Sequence, residues 1–309
     1  MRGTFVIAKF GFIELTRGKL FWVILIIALA VNIALSWGGW YAASKSTFSN
    51  EIQEGPRHHI EYMQGEAQYP LGFDPNDPDL PLAMIKNGLR WMVYIVYIFF
   101  GNLLSIFGAI GLLGSELENR SIYTLISKPL SRSNIFFGKL YGLTGALLIY
   151  GIIMIIVAQL FFMISGAGLQ LMLFPAAAVG FINFLIFGTL ALMFSIRVRP
   201  ILAGVLSVIV LWTSTNAGIT AIKAVGKAFF KLSDKVVNYA DIVLPSQKSI
   251  GGYAIHFLFD KYYQAMMGDL PKEWINLISN DIHVLIQPVI WLGFLLLIGY
   301  FSFFRREFD

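Results

Sequence analysis

The chain has 309 residues, 57% hydrophobic and 13% charged, with no cysteine and a formal net charge of +5. Soluble domains carry roughly a quarter charged residues, so this balance reads as a polytopic membrane protein. The missing Cys excludes disulfide frameworks, thiolate catalysis and Cys-based zinc or iron–sulfur sites while leaving the redox compartment open, and the positive charge is no nucleic-acid signal until its distribution is known.

A helix needs about 20 mainly apolar residues to cross the hydrocarbon core of a bilayer. Ahead of the first such run, Gly3 to Lys19 alternates Val6, Phe10 and Ile13 with Lys9, Glu14 and Arg17, an amphipathic pattern suited to the membrane surface. Leu20 to Trp37 is the first span. Arg2, Lys9, Arg17 and Lys19 before it and Ala42-Ala43 after it imitate a signal peptide. Its apolar run exceeds the roughly 7 to 15 residues of a signal core, which predicts an uncleaved span. Residues 38–90 form a polar segment, stiffened by Asp74-Pro75-Asn76-Asp77-Pro78-Asp79. Without EF-hand spacing this is a solvated loop before it is a calcium site.

Trp91 to Gly114 is the second span, and residues 115–139 then interrupt the hydrocarbon with Glu116, Glu118, Arg120, Lys128, Arg132 and Lys139. Leu140 to Ile164 and Leu169 to Ile196 follow as a third and fourth span, joined by the Gly-rich break Ser165-Gly166-Ala167-Gly168. Ile201 to Ile222 is the fifth, and Val284 to Phe304 the sixth. None of the six contains Asp, Glu, Lys, Arg or His, and Pro175 and Pro288 fall near span ends, where a missing N–H costs little. Between the last two spans, residues 223–283 begin with Lys223, Lys227, Lys231 and Lys235 interleaved with Val225, Phe229, Phe230 and Leu232. That basic amphipathic stretch is expected in the headgroup region, its lysines reaching for water.

Lys and Arg near span ends are retained on the cytoplasmic side. With both termini cytoplasmic, the inner segments hold Arg2, Lys9, Arg17, Lys19, Arg120, Lys128, Arg132, Lys139, Arg197, Arg199, Arg305 and Arg306. The lysines from Lys223 to Lys235 then lie outside, in a loop long enough for the rule to weaken. This orientation makes 38–90 and 223–283 extracytoplasmic and puts 115–139 in the cytoplasm. Within that segment Ile122, Leu125 and Ile126 keep helical spacing and Pro129 stops it, so the residues read either as a short amphipathic helix displayed for docking or as a plain solvated loop.

Glu118, then Arg120-Ser121-Ile122-Tyr123-Thr124, then Ser127-Lys128-Pro129-Leu130-Ser131-Arg132 and Gly138-Lys139 resemble the first cytoplasmic loop of ABC-2 type ABC transporter permeases. Ser121 replaces the usual Thr and Leu130 the usual Ile or Val. Two looser matches accompany it: residues 1–19 resemble the family's elbow helix, and Asp241-Ile242-Val243-Leu244-Pro245 its "LP" element. The resemblance implies a single permease domain over 1–309 with six transmembrane helices, an elbow helix and a cytoplasmic coupling helix. It implies a paired permease, a second copy or a paralogue, above ABC ATP-binding subunits. No G-x-x-x-x-G-K-[ST] occurs, so ATP and Mg are expected on the partner and no cofactor on this chain. Glu116, Glu118, Arg120 and Tyr123 are then expected at the hinge, and Leu125, Ile126, Pro129 and Arg132 facing the ATPase, with Lys139 closing the segment. The implied location is the plasma (inner) membrane and the implied direction export.

Two other classes compete. A secondary transporter normally needs an ionisable group at membrane depth to bind its coupling ion, and the spans hold none. A membrane-embedded enzyme needs clustered acids or histidines. Only His58-His59 with Glu61, and Asp281 with His283, offer themselves. Adjacent histidines point to different sides of a helix or strand, and the second pair has no ligand set around it. Neutral polar residues must therefore mark any substrate path: Asn102 and Ser105 in the second span, and Trp212, Thr213, Ser214, Thr215 and Asn216 in the fifth. Interhelical hydrogen bonds are the first explanation of such residues, because Ser and Thr serve that purpose routinely. The resemblance puts the second and fifth spans beside the interface of the paired permeases, which singles out Asn102, Trp212 and Asn216.

Overall fold

The computed structural model describes residues 2–44, 80–118, 131–164, 168–215, 220–221, 258 and 286–305. In chain order these form α1 (Arg2–Arg17), α2 (Lys19–Ser44), α3 (Leu80–Ala109), a π-helical turn (Ile110–Gly114), α4 (Ser115–Glu118), α5 (Arg132–Ile164), α6 (Leu173–Arg197), α7 (Pro200–Thr213) and α8 (Ile286–Phe304). No strand occurs among the described residues.

Five of these segments are long and apolar enough to cross a bilayer: 19–38, 87–118, 132–164, 173–197 and 286–304. They correspond to the first, second, third, fourth and sixth expected spans. Of the fifth, α7 covers 14 residues and starts on Pro200 at its first turn, where proline lacks only a hydrogen bond the helix could not make. Most of the remainder lies outside the described residues.

Two ends differ from the hydropathy reading. The helix of the second span begins at Leu80, so Asn87 and Arg90 are helical and buried rather than part of a polar loop. The helix of the third begins at Arg132 and runs for 33 residues. At 1.5 Å per residue it is about 50 Å long, well beyond the hydrocarbon core. Its first turns therefore stand clear of the apolar layer.

The bundle is assembled on α6. Hydrophobic round most of its circumference, it is the span most enclosed by its neighbours, as such a pattern requires. Small residues bring α3 and α6 together: the Phe184 ring lies over Gly101, Ile98 over Gly180, and Ser105 against Gly188. Ser105 donates from Oγ to the carbonyl of Phe184, and Tyr97 donates to that of Ala177 at 3.1 Å. These pairings advance together along both chains, so α3 and α6 run in the same direction. α8 shares it, with Gly299 beside Met193 and Ser302 beside Arg197, whereas α5 runs the opposite way, pairing Arg132 with Phe304 and Phe136 with Gly299.

In α2, the buried residues Phe21, Ile24, Leu25, Ala28, Asn32 and Ser36 recur at helical spacing, while Trp22, Val23, Ile26, Ile27 and Ile33 are exposed. An outer surface of this kind is solvated by lipid tails, not water.

Candidate functional site

The helix directions bring Glu14, Glu116, Arg132, Lys139, Arg197 and Arg305 to one end of the bundle, the basic end. There α1 lies against the first turns of α5, in the same direction. Thr4 Oγ1 donates to Asn134 Oδ1 at 3.0 Å, Ile7 covers Gly138, and Ala8 and Phe12 meet Gly142. A Cβ on Gly142 would stand 2.8 Å from the main-chain oxygen of Ala8 and 2.9 Å from the nitrogen of Phe12. Only glycine permits that approach, so the two helices touch backbone to backbone.

The close approach sets the position of Lys139. Its side chain is buried, and its Nζ lies 3.0 Å from Glu14 Oε2 and 2.6 Å from Glu116 Oε1. A buried ammonium persists only if paired and hydrogen-bonded. Lys139 therefore ties together three elements: α1 through Glu14, α4 at the end of the second span through Glu116, and the start of α5. The carboxylates differ in setting, Glu14 being about half exposed (46%) and Glu116 mostly covered (16%).

The π-helical turn Ile110–Gly114 immediately precedes Glu116. A π turn carries an extra residue and shifts the helix face that follows it, and such turns are frequent at functional sites. Its last residue, Gly114, is wedged against Ser195 and Pro200, either of which a Cβ would approach to 3.2 Å. The end of the second span is thus held both by the Lys139 pair and by the junction between α6 and α7.

Of the residues expected to couple to an ATPase, the structure joins Glu116 and Lys139 directly, leaves Glu118 exposed, and turns Arg132 toward α8, where its Nη1 donates to the carbonyl of Phe304 at 2.7 Å. Arg120, Tyr123, Leu125, Ile126 and Pro129 lie outside the described residues. In the sequence Glu14 belongs only to an amphipathic pattern. Its spacing in α1 carries no sign that a lysine far along the chain would claim it.

The expected path residues separate. Asn102 and Ser105 are buried inside the bundle, Ser105 as a donor to α6 and Asn102 with its Oδ1 enclosed and unbonded. Trp212 is more than half exposed on α7, and Thr213 donates to the carbonyl of Val210 at 3.0 Å. Ser214 and Thr215 likewise bond to carbonyls of their own helix, those of Val210 and Trp212. Asn216 lies outside the described residues. A cavity bordered by Asn32, Tyr94, Tyr97 and Ala158 measures about 20 Å³. That volume admits about one water molecule, not a substrate.

The opposite end is organised around Arg90. Its Nε donates to Gln170 Oε1 at 2.6 Å, and its Nη1 to Asn87 Oδ1 at 2.9 Å and to the carbonyl of Leu258 at 3.3 Å. Gln159 and Gln170 exchange two further hydrogen bonds, of 2.7 and 2.9 Å.

The family model for ABC-2 family transporter protein matches residues 5–308. The chain belongs to the ABC-2 transporter family. It is a transmembrane component of an ABC transporter and a multi-pass membrane protein. No curated protein matches it.

Proposed function

We propose that the chain is the permease subunit of an ATP-binding cassette exporter, moved by a separate ATP-binding subunit that docks on residues 115–139. Family membership supports this reading, and the Lys139 ion triad is the observation that carries it. Helices that must respond together to a push on 115–139 need a rigid joint where that segment leaves and re-enters the bundle. Lys139 with Glu14 and Glu116 is such a joint.

In this reading the basic end is cytoplasmic, both termini lie inside the plasma (inner) membrane, and α1 is the elbow helix. Ile201 to Ile222 completes six spans, residues 38–79 and 223–283 extend outside, and a second copy or a paralogue completes the pathway. ATP and Mg are held by the partner. ATP-driven closure of the ATP-binding subunits shifts the joint and biases the bundle between inward-open and outward-open packings.

The test is affinity purification of the full chain in mild detergent with identification of what is retained. An ATP-binding subunit is expected with the unaltered chain and is expected to be lost from a Glu118→Ala/Arg120→Ala variant that still inserts. Equal retention by both chains would remove the docking role from this segment.

A further inference from the structure

The last turn of α8 is gripped by arginines from two other helices. Arg132, the first residue of α5, donates to the carbonyl of Phe304 at 2.7 Å, and Arg197, the last residue of α6, donates from Nε to Ser302 Oγ at 2.7 Å. The final carbonyls of a helix have no partner inside it and carry the negative end of its dipole. A guanidinium is therefore held there by charge as well as by hydrogen bonding.

The grip continues inward from Arg132. Ser133 Oγ lies 3.0 Å from Tyr300 Oη, the Phe137 ring stacks on Tyr300 at 5.7 Å, and Phe136 packs on Phe303 at 6.0 Å. Gly299 lets the Phe136 ring approach the backbone of α8, since a Cβ there would come within 3.1 Å of it. That same Cβ would sit 3.9 Å from the Cβ of Met193 on α6. The residues of α5 that hold α8 alternate with those that hold α1: Asn134, Gly138 and Lys139 face one neighbour, and Arg132, Ser133, Phe136 and Phe137 the other.

We propose that Arg132 and Arg197 are positioning residues that bind the basic ends of α5, α6 and α8 into one body, so that a force on 115–139 is delivered to the last span as well as to the two spans that segment joins. Arg132 then acts inward, on α8. The proposal rests on 115–139 being the coupling segment.

The absence of native cysteine makes site-specific labelling direct. Spin labels at Ile152 on α5 and Ile290 on α8, both exposed, report the distance within the body, and a pair at Ile33 on α2 and Ile290 reports its movement against the rest. In the complex with its ATP-binding subunit, vanadate trapping is expected to leave the Ile152–Ile290 distance unchanged and to shift the Ile33–Ile290 distance. Arg132→Ala/Arg197→Ala is expected to broaden the first distribution and abolish the shift in the second, while Arg132→Lys/Arg197→Lys, which still donates, restores both. A second measurement uses Met193→Cys/Gly299→Cys, whose 3.9 Å Cβ separation suits a disulfide. Oxidation is expected to leave ATP hydrolysis by the complex at its reduced level.

A changed Ile152–Ile290 distance in the parent complex, an Ile33–Ile290 distance that does not move, or hydrolysis blocked by the disulfide and restored by reductant would each overturn the proposal. Those outcomes presuppose a retained ATP-binding subunit. If none is retained by the unaltered chain, the coupling reading fails first and this proposal with it.

Discussion

The two ends of the bundle are held by different chemistry. At the basic end, ion pairs and glycine-mediated backbone contact join α1, α4 and α5, and arginines cap α8. At the other end, neutral amides share hydrogen bonds around Arg90. At the basic end one buried ammonium ties three elements together through charge, whereas at the other end Arg90 and the amides of Asn87, Gln159 and Gln170 are linked without a carboxylate among the contacts described. The basic end is built as a joint and the opposite end as a clasp.

Four substitutions sharpen or break that contrast, in decreasing order of effect. Gly142→Leu drives a side chain into the backbone of α1. Overpacking against main chain that cannot yield is expected to cost about 3 kcal/mol or more. Thermal unfolding of the purified chain should fall by roughly 10 °C. A midpoint within a degree or two of the parent would mean that α1 does not rest on Gly142.

Lys139→Met removes the ammonium that pairs with both Glu14 and Glu116. Losing one partner of a buried pair costs about 3–5 kcal/mol, and the half-exposed Glu14 brings the expectation to the lower end of that range. Added Glu14→Gln and Glu116→Gln changes should recover much of the loss, since they remove the stranded charges. If the triple variant is no more stable than Lys139→Met alone, the triad is not the source of the effect.

Arg90→Leu removes the donor to Gln170 Oε1, Asn87 Oδ1 and the carbonyl of Leu258. The loss is expected to cost about 1–3 kcal/mol of stability. Retention of the ATP-binding subunit should be unaffected, because the change is at the clasp. A loss of retention here equal to that from Lys139→Met would erase the distinction between the ends. Ser105→Ala, which removes one interhelical hydrogen bond and leaves a carbonyl already bonded within its helix, should cost about 1 kcal/mol. No effect on ATP hydrolysis by the complex is expected. Altered hydrolysis at unchanged stability would return Ser105 to the substrate path.

Much of this architecture was legible in the sequence, for reasons that also mark where legibility ended. Spans announce themselves because lipid demands about 20 apolar residues in a row. The pattern from Glu118 to Lys139 points to the family because its spacing is local, and the family model bears this out. The partner of Lys139 was not legible, since Glu14 lies 125 positions away and only the packing of Ala8 and Gly11 on Gly142 brings it near. Arg132, expected from the resemblance to face the ATPase, donates to the end of α8, and nothing in a sequence reveals that a distant helix ends beside it. Hydropathy starts the second span later than α3 begins, because the buried face of α3 carries Asn87 and Arg90, which a hydropathy average counts as loop. Polarity within a span marks a need for hydrogen bonds, and Ser105 and Thr213 satisfy theirs against carbonyls.

In the proposed reading, residues 115–139 meet an ATP-binding subunit on the cytoplasmic side. Single cysteines at Ser131, exposed just ahead of α5, and at Asn76 in the expected outer segment test it in one experiment. Ser131→Cys is expected to cross-link to an ATP-binding subunit and to resist a membrane-impermeant maleimide in intact cells, while Asn76→Cys is expected to be labelled from outside and to form no such adduct. Labelling of Ser131→Cys from outside, with Asn76→Cys protected, would contradict it.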